Sequence, residues 1–291
     1  MLSIITSFFK HPLGKKNFIN SFFKFLLFQI FFRIMKGQFL YRWIDDCVFL
    51  ISPGETGLTG NFYLGLDEFE EMGFLLHYLN EDDLFIDVGA NVGSYTLLSG
   101  VVKKCNVISF EPIPNTFEKL KLNVNLNLST TKIKLFNIGI SDKKGQLYFS
   151  NNLNTTNKVV NIYNSNNIKI KVNTLDSFEL NPTVIKIDVE GYEKFVLKGA
   201  KKTLKSKNLK IIIIELNESG QNYGNNDNDI YNLICSFGFI SYHYDPFKRT
   251  FKLIKTKSKK SINTIFIRGN LSYFENRVKK SKKYNLNGIS F

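Results

Sequence analysis

The sequence predicts an α/β fold built on a parallel sheet with helices on both faces. From residue 84 onward, short apolar runs alternate with amphipathic helical segments, and that alternation indicates βαβ units. The run 211–214 is all isoleucine, as expected of a strand buried on both faces. Right-handed crossovers would then place a ligand beyond the carboxyl ends of the strands.

Each element follows from the pattern of apolar side chains and turn residues. Strands are predicted where β-branched and aromatic residues are enriched, at residues 84–88, 107–112, 133–141, 183–189, 210–218 and 263–269. Helices are predicted where apolar residues recur three or four apart, at residues 95–102, 115–127, 192–206 and 229–239. The polar segment 151–167 falls between short strands and is predicted to form a hairpin or a surface loop.

Composition indicates a globular chain rather than a disulfide-stapled scaffold. Its 291 residues can bury a large core, and 43% hydrophobic and 22% charged residues are typical of globular proteins. The cysteines at positions 47, 105 and 235 match neither a metal-binding spacing nor a disulfide framework. We therefore expect a reducing compartment and a cytoplasmic location.

The net charge of +14 is concentrated in two arms. Residues 1–44 carry seven Lys or Arg and no Asp or Glu, and residues 246–291 carry thirteen with Glu275 alone opposing them. The segment 45–245 holds nineteen basic and twenty-four acidic residues. Such arms suit an anionic surface, whether phospholipid, nucleic acid or acidic glycan. A coding bias toward Lys, Asn, Ile and Phe explains them equally well, and both interpretations stay open.

The N-terminal extension, residues 1–60, is predicted to be helical, basic and rich in aromatic side chains. Its uncharged run between Lys24 and Arg33 is eight residues long, far short of the ~20 that span a bilayer, and no secretory cleavage site follows the first apolar stretch. Apolar side chains recur at helical spacing, at positions 22, 23, 26, 27, 30 and 31. This amphipathic helix either lies peripherally on the anionic inner face of a membrane or packs on the domain or a partner.

The turn after the first strand carries the most informative motif, Asp87-x-Gly89-x-Asn91-x-Gly93. Glycines at these points allow the backbone to turn sharply and to approach a ligand closely. The dinucleotide fingerprint G-x-G-x-x-G is not matched, because Asn91 takes the middle position and an acid precedes the first glycine. A carboxylate there disfavours a phosphate and favours a cationic or ammonium-bearing ligand.

Glu111 stands at the end of the second strand, eighteen residues after Gly93. An acid at that point can accept hydrogen bonds from both hydroxyls of a ribose. The site therefore suits a ligand with a ribose and a positive charge but no phosphate. S-adenosylmethionine combines an adenosine ribose, an ammonium group and a sulfonium, and we predict it as the cofactor.

The chain resembles the FkbM family of S-adenosylmethionine-dependent methyltransferases. The resemblance covers about 135 residues and is carried by FIDVGANVGSYT (85–96), FEPIPNTFEKLKLNVNLN (110–127), NIGISDKKG (137–145), VNTLDSF (172–178), VIKIDVEGYEKFVLKGA (184–200) and IIIIELNE (211–218). It implies the class I methyltransferase fold, a Rossmann-like seven-stranded sheet whose last strand is antiparallel. It also implies methyl transfer, usually to a hydroxyl oxygen of a sugar or a natural product. We assign residues 61–270 to this domain and 271–291 to a basic C-terminal tail.

The resemblance further implies cofactor contacts along the carboxyl edge of the sheet. The glycine turn would hold the methionine end through Asp87, Gly89, Ala90, Asn91 and Gly93, and the helix after it would hold the carboxylate through Tyr95 and Thr96. Glu111, at the end of the second strand, would hold the ribose. Ser141 and Asp142, after the third strand, would hold the adenine.

Catalysis is expected from carboxylates just past the fourth strand, in KIDVEGYE (186–193). Methylation of a hydroxyl requires a base, and Asp188 and Glu190, two apart on an extended segment, would point the same way. A divalent cation held by several carboxylates is an alternative way to lower the hydroxyl pKa, although no metal ligands are assigned. Glu193 and Glu215 are candidates for binding the acceptor. Glu190 and Glu193 could instead cap the next helix.

Three functions stay open from the sequence. The first is O-methylation of a hydroxyl on a sugar, glycolipid or polysaccharide precursor, with a small molecule or glycan as the acceptor. The second is RNA methylation, which the net charge favours. The lack of an aromatic-basic recognition module and of an N/D-P-P-[YF] motif disfavours it, so nucleic acid is not the expected partner. The third is a non-catalytic scaffold, which the intact glycine turn disfavours.

Overall fold

The structure, a computed structural model, describes residues 6, 8–34, 37–52, 56–127, 132–150, 158–160 and 167–291. The strands are β1 (Phe39–Arg42), β2 (Val48–Ile51), β3 (Leu84–Val88), β4 (Asn106–Phe110), β5 (Ile133–Phe136), β6 (Gly139–Ile140), β7 (Gly145–Ser150), β8 (Val159–Val160), β9 (Asn167–Asn173), β10 (Val184–Ile187), β11 (Ile211–Glu215), β12 (Ile240–Asp245), β13 (Thr250–Leu253), β14 (Asn263–Ile267), β15 (Asn285–Leu286) and β16 (Ile289–Ser290). The helices are α1 (Pro12–Lys16), α2 (Phe18–Ile34), α3 (Thr56–Leu64), α4 (Phe69–Tyr78), α5 (Ser94–Leu97), α6 (Pro114–Asn125), α7 (Glu193–Lys198), α8 (Lys201–Lys205), α9 (Asp227–Ser236) and α10 (Leu271–Lys279).

The central sheet has the strand order β13-β12-β14-β11-β10-β3-β4-β5 within the described residues. Strands β3, β4, β5, β10 and β11 run parallel, and β14 is inserted antiparallel between β11 and β12. The predicted class I arrangement, with its antiparallel last strand, is confirmed. The sheet gains an eighth strand that was not predicted, because the chain reverses after β12 and β13 pairs back along it.

Helices cover both faces of the sheet, as predicted. Successive side chains of a strand point to opposite faces, so Phe85 enters one core cluster and Ile86 the other. The first cluster includes Leu75 of α4 and Leu120 of α6, and the second includes Ile230 of α9. The buried strands β3, β10 and β11 are thereby held rigidly between two layers, which fixes the residues at their carboxyl ends.

The register of the parallel strands brings the predicted site residues to one edge. Asp87 of β3 is paired with Lys186 of β10 on one side and with Ser109 of β4 on the other. The segments that follow these three strands therefore leave the sheet side by side, as the crossover rule requires.

Two predicted elements differ from the observed ones, and a third is largely outside the described residues. The strand 133–141 ends at Phe136, where Asn137 donates its side-chain amide to the carbonyls of Glu111 and Pro112. The next residues form β6 of a separate sheet with the order β6-β9-β7-β8. The helix 192–206 is interrupted between α7 and α8 at Gly199, where any side chain would collide with the Ser141 carbonyl. Much of the predicted loop 151–167 lies outside the described residues, which include β8 within it.

Both ends of the chain contribute to the first core cluster. The predicted tail contains α10, whose Phe274 and Val278 are buried, and the short hairpin β15-β16. The N-terminal extension contains the hairpin β1-β2 as well as helices, and Phe25 of α2 is buried beside Tyr63 of α3. The domain boundaries themselves stay a prediction. Among the described helices, none has the length and apolar character needed to cross a membrane.

Candidate active site

The glycine turn, residues 89–93, joins β3 to α5 and folds tightly against its neighbours. Gly89 and Gly93 adopt positive φ values of 84° and 105°, and Asn91 adopts 52°. A Cβ on Gly89 would lie 1.7 Å from the carbonyl oxygen of Asp188, so only glycine allows the turn to approach the end of β10. A Cβ on Gly93 would meet Leu120 of α6 at 2.8 Å, which makes Gly93 a packing residue.

Asp87 is buried beneath this turn and is held by hydroxyl groups. Thr96 Oγ1 donates a hydrogen bond of 2.7 Å to Asp87 Oδ2 and lies 2.7 Å from Ser109 Oγ. Burial raises the pKa of Asp87 to about 6, although Lys186 and the Thr96 hydrogen bond oppose that shift. Thr96 is itself fully buried, so it orients Asp87 instead of reaching a ligand.

Glu111 ties the end of β4 to the glycine turn. Its Oε2 accepts a hydrogen bond from the backbone N–H of Asn91 and its Oε1 accepts one from the N–H of Ile113, both at 2.9 Å. Because each carboxylate oxygen has two lone pairs, Glu111 can still accept two hydroxyl donors. Burial raises its pKa to about 7, since it outweighs the two backbone donors.

A buried ion pair lies at the end of β10. Lys186 Nζ donates a hydrogen bond of 2.6 Å to Asp188 Oδ2, and the Lys186 side chain is 3% exposed against 28% for Asp188. Burial alone would lower the pKa of Lys186, but the carboxylates of Asp188, Glu68 and Asp87 outweigh it and raise that pKa above its usual value. The ammonium group therefore stays charged and fixes the position of the more exposed Asp188 carboxylate.

The chain turns sharply after Asp188, which corrects the prediction of an extended segment. Glu190 adopts a φ of 52° and Gly191 a φ of 97°, so Asp188 and Glu190 are brought together by a turn and not by strand periodicity. Glu193 closes this turn, because its Oε1 accepts hydrogen bonds from the N–H groups of Val189 and Gly191. Both donors precede α7, whose N-cap residue Tyr192 makes no side-chain cap hydrogen bond, so Glu193 holds the turn before the helix, and the capping of α7 that the sequence left open is not observed.

Glu215 ends β11 with a buried carboxyl oxygen, Oε2, that has no hydrogen-bond partner among the described residues. The residue is only 5% exposed. Burial raises its pKa to about 10, and the carboxylates of Asp188, Glu190 and Glu193 add to that shift. Glu215 is therefore protonated at neutral pH, where its O–H is a hydrogen-bond donor.

These groups surround one cavity of about 280 Å³ at the carboxyl edge of the sheet. The predicted residues that line it are Asp87, Gly89, Ala90, Asn91, Tyr95, Glu111, Asp188, Glu190 and Glu215. Glu190 is partly exposed there, and burial raises its pKa, with Asp188 adding to the shift. The cavity thus combines the predicted cofactor turn with the predicted base candidates.

Five predicted residues are not part of the cavity lining: Gly93, Thr96, Ser141, Asp142 and Glu193. Ser141 packs its carbonyl against Gly199 and donates its hydroxyl to Asp142 at 3.1 Å. Ser141 and Asp142 lie one and two residues past Ile140, which lines the cavity together with Gly139.

Sequence reasoning missed three parts of the wall. Glu68, just before α4, accepts hydrogen bonds from Asn263 Nδ2 at 2.6 Å and from the Tyr95 hydroxyl. The second sheet supplies the apolar side chains of Phe149 and Val159. Lys186 was also missed, although a lysine inside the apolar run VIKI was a usable signal, because a strand buried on both faces tolerates a charge only beside a partner.

The electrostatics of the cavity favour a cation. Its described lining contains seven carboxyl groups, of which that of Glu215 is neutral, and, as the one amine, Lys186; the carboxyl groups belong to Asp67, Glu68, Asp87, Glu111, Asp188, Glu190 and Glu215. None of the three histidines is in the described lining: His243 pairs with Glu70 at 2.9 Å and His77 with Tyr244 at 2.7 Å. The described residues also contain no group of three or more His, Cys, Asp or Glu arranged to hold a metal ion.

Comparison with known proteins gives a family match and more distant structural likenesses. A sequence model of the methyltransferase FkbM domain matches residues 87–241. The hexuronic acid methyltransferase AglP of Haloferax volcanii is 34% identical over 145 residues, which are 48% of this chain and 59% of that protein. The chain therefore spans about three-fifths of the length of this relative.

Two solved structures illustrate the structural likeness. A methyltransferase FkbM from Methylobacillus flagellatus KT has 17% identity and a TM-score of 0.46, with 65% of this chain and 44% of that chain covered. The structure of M. jannaschii TYW2 in complex with AdoMet has 12% identity and a TM-score of 0.41, with 80% and 87% covered.

Proposed function

We propose that this protein is an S-adenosylmethionine-dependent methyltransferase that methylates a hydroxyl group of a sugar, since the chain belongs to the FkbM methyltransferase family. The observation that carries the proposal is the cavity itself. It joins a glycine turn, an oriented Glu111 and the turn of Asp188 and Glu190 at the carboxyl edge of the sheet.

The residues present fit the cofactor. S-adenosylmethionine, when bound, supplies an electrophilic methyl group on a sulfonium. Gly89, Ala90 and Asn91 of the turn line the cavity, where they could contact the methionine end, and Glu111 retains acceptors for ribose hydroxyls. The apolar side chains of Ile113, Ile140 and Phe149 offer a surface for adenine. The surplus of carboxyl groups complements the ammonium and sulfonium charges.

The proposed base is the Asp188 carboxylate, with Glu190 beside it. A hydroxyl acceptor would donate its proton to this pair as its oxygen forms the new bond. Lys186 holds Asp188 in place through the 2.6 Å hydrogen bond, and this preorganisation keeps the base aligned with the acceptor. An acceptor carboxylate would need no base and would enter a cavity already crowded with carboxyl groups, so the arrangement favours a hydroxyl.

Glu215 is proposed to bind the acceptor as a neutral donor. Its buried, unpaired Oε2 costs free energy in the free protein, and a sugar oxygen would supply the missing partner. Glu193 is not part of the cavity lining and is proposed to support the acceptor site indirectly, by holding the turn at Gly191.

A sugar acceptor is proposed because AglP is described as a hexuronic acid methyltransferase. The acceptor would be a free sugar, a glycolipid or a polysaccharide precursor. A cytoplasmic location is proposed from the free thiols of Cys47, Cys105 and Cys235. Peripheral contact with the inner face of the membrane is proposed with it, from the basic and apolar N-terminal extension.

The test is methylation of defined acceptors by the full-length chain with S-adenosylmethionine. The acceptors are an oligosaccharide containing hexuronic acid, a neutral oligosaccharide of equal length and an RNA oligonucleotide. Mass spectrometry should detect one added CH₂ unit on a sugar, stable to mild alkali as an ether is and an ester is not. The Asp188→Asn variant is the control, and methylation of RNA alone, or of an alkali-labile carboxyl, would contradict the proposal.

A further inference from the structure

Helix α2 presents a continuous apolar face to solvent, which we call the outer face: Ile19, Phe23, Leu26, Leu27, Ile30 and Ile34. These side chains are between 38% and 72% exposed within the described residues. Their spacing of three and four residues puts them on one side of the helix, in a stripe about 22 Å long. Stripes of this size are rarely left open on a soluble monomer and mark an interaction surface.

The opposite side of α2 is already occupied, so the outer face is not a core face turned outward. Phe25 and Phe28 are buried and contact Tyr63 of α3 with ring centroids 5.8 and 5.4 Å apart. Lys24 anchors the side of the helix by donating to the Tyr41 hydroxyl and to Asn287 Oδ1. The helix is therefore apolar on two sides, one of which packs on the protein.

The chain segment that carries the outer face has charges of one sign. Residues 1–44 contain no Asp or Glu, and Lys10 before α1, Lys15 on α1 and Arg33 on α2 are exposed. A second copy of the chain would bring these cations against one another across a two-fold interface. An anionic lipid surface instead accepts apolar side chains between its headgroups and binds the flanking cations.

We propose that the outer face of α2 docks this protein on an anionic lipid bilayer, with the helix lying in the plane of the interface. The inference deepens the proposed peripheral location and rests on it. It is independent of the proposed catalysis, because binding to vesicles is measured without cofactor or acceptor. A failure of vesicle binding is thus distinguishable from a failure of the proposed methyl transfer.

The experiment is flotation of the full-length chain with two kinds of vesicle, phosphatidylcholine alone and phosphatidylcholine with phosphatidylglycerol. The test variant is Leu27→Gln/Ile30→Gln. The matched control is Ile240→Gln/Leu253→Gln, which removes two aliphatic side chains that are 48% and 52% exposed on β12 and β13. Circular dichroism melting curves establish that both variants are folded.

The parent chain and the control should bind the anionic vesicles equally, and less in high salt. The test variant should bind roughly a hundredfold more weakly, since each buried aliphatic side chain contributes about tenfold. Arg33→Gln should lower binding to anionic vesicles by about fivefold and leave phosphatidylcholine binding unchanged. Equal binding of the parent and the test variant would overturn the proposal. Size-exclusion chromatography gives a second outcome that would overturn the proposal. If the parent and the control were dimers and the test variant a monomer, the outer face would be an interface between two copies of the chain.

Discussion

Glu215→Gln should stabilise the protein, and by an amount that grows with pH. The Glu215 pKa rises from 4.5 to about 10 on folding, chiefly through burial and then through Asp188. Between those values the unfolded chain releases a proton that the folded chain keeps, so each pH unit favours unfolding by about 1.4 kcal/mol. The stability associated with Glu215 is thus complete below about pH 4.5 and is lost as the pH rises toward 10.

The stability that the parent protein has lost at pH 7 depends on the lower end of this pH range, which is the pKa of 4.5 in the unfolded chain. From 4.5 to 7 the loss is about 3 kcal/mol, and it depends only on Glu215 staying protonated at pH 7. Because the residue is only 5% exposed, solvent screens its charge little. Glutamine keeps the shape and a donor but carries no titrating proton, so it should recover this free energy.

The assay is urea unfolding of the parent and the variant at several pH values between about 5 and 8. The difference in unfolding free energy should widen by about 1.4 kcal/mol per pH unit. Glu118→Gln, which changes an exposed carboxyl on α6, is the control and should show no such widening. A difference that is constant with pH would mean that Glu215 is ionised in the folded protein, contrary to the protonated state inferred from its burial.

Asp188→Asn should lower turnover by at least about a hundredfold, the usual contribution of a general base, and leave the affinity for S-adenosylhomocysteine unchanged. Full turnover in a steady-state assay would mean that another residue is the base. Glu111→Ala should weaken S-adenosylhomocysteine binding by about 1–3 kcal/mol, measured by calorimetry, because it removes the proposed ribose acceptor and releases Asn91; an unaltered affinity would contradict the ribose assignment. Gly89→Ala should destabilise the fold by more than about 3 kcal/mol, since its Cβ would lie 1.7 Å from a carbonyl oxygen. Gly145→Ala, with no atom within 4 Å, is its control, and equal urea midpoints for the two would argue against a close approach at Gly89.

The strands that carry the site could be predicted because local pattern and burial agree there. LFIDV and IIIIE are apolar runs ended by turn residues, and both are strands in the structure. Strand β13, at the sheet edge, was missed because none of its residues is buried, and β12 beside it was missed because tyrosine, histidine and serine interrupt its apolar pattern. Helix α10 was missed because only two of its side chains, Phe274 and Val278, are buried, and the basic residues around them favoured the prediction of a solvent-exposed tail.

The site could be predicted only where its residues are close to one another in sequence. The glycine turn and the Asp188–Glu190 turn are local segments, and both line the cavity. Glu68 reaches the same cavity through Asn263, which is 195 residues away in sequence, and no local pattern reports such a contact. Ser141 and Asp142 were displaced by one or two residues because β5 ended earlier than its apolar pattern suggested.

Calorimetric titration of the purified protein with S-adenosylhomocysteine, with NAD as the comparison ligand, is the decisive test of the cofactor site. We expect saturable binding of S-adenosylhomocysteine at one site per chain and no binding of NAD. Glu111→Ala should weaken that binding while Gly145→Ala leaves it unchanged. Binding of NAD, or no binding of S-adenosylhomocysteine by a folded protein, would contradict the assignment of the glycine turn as the cofactor site.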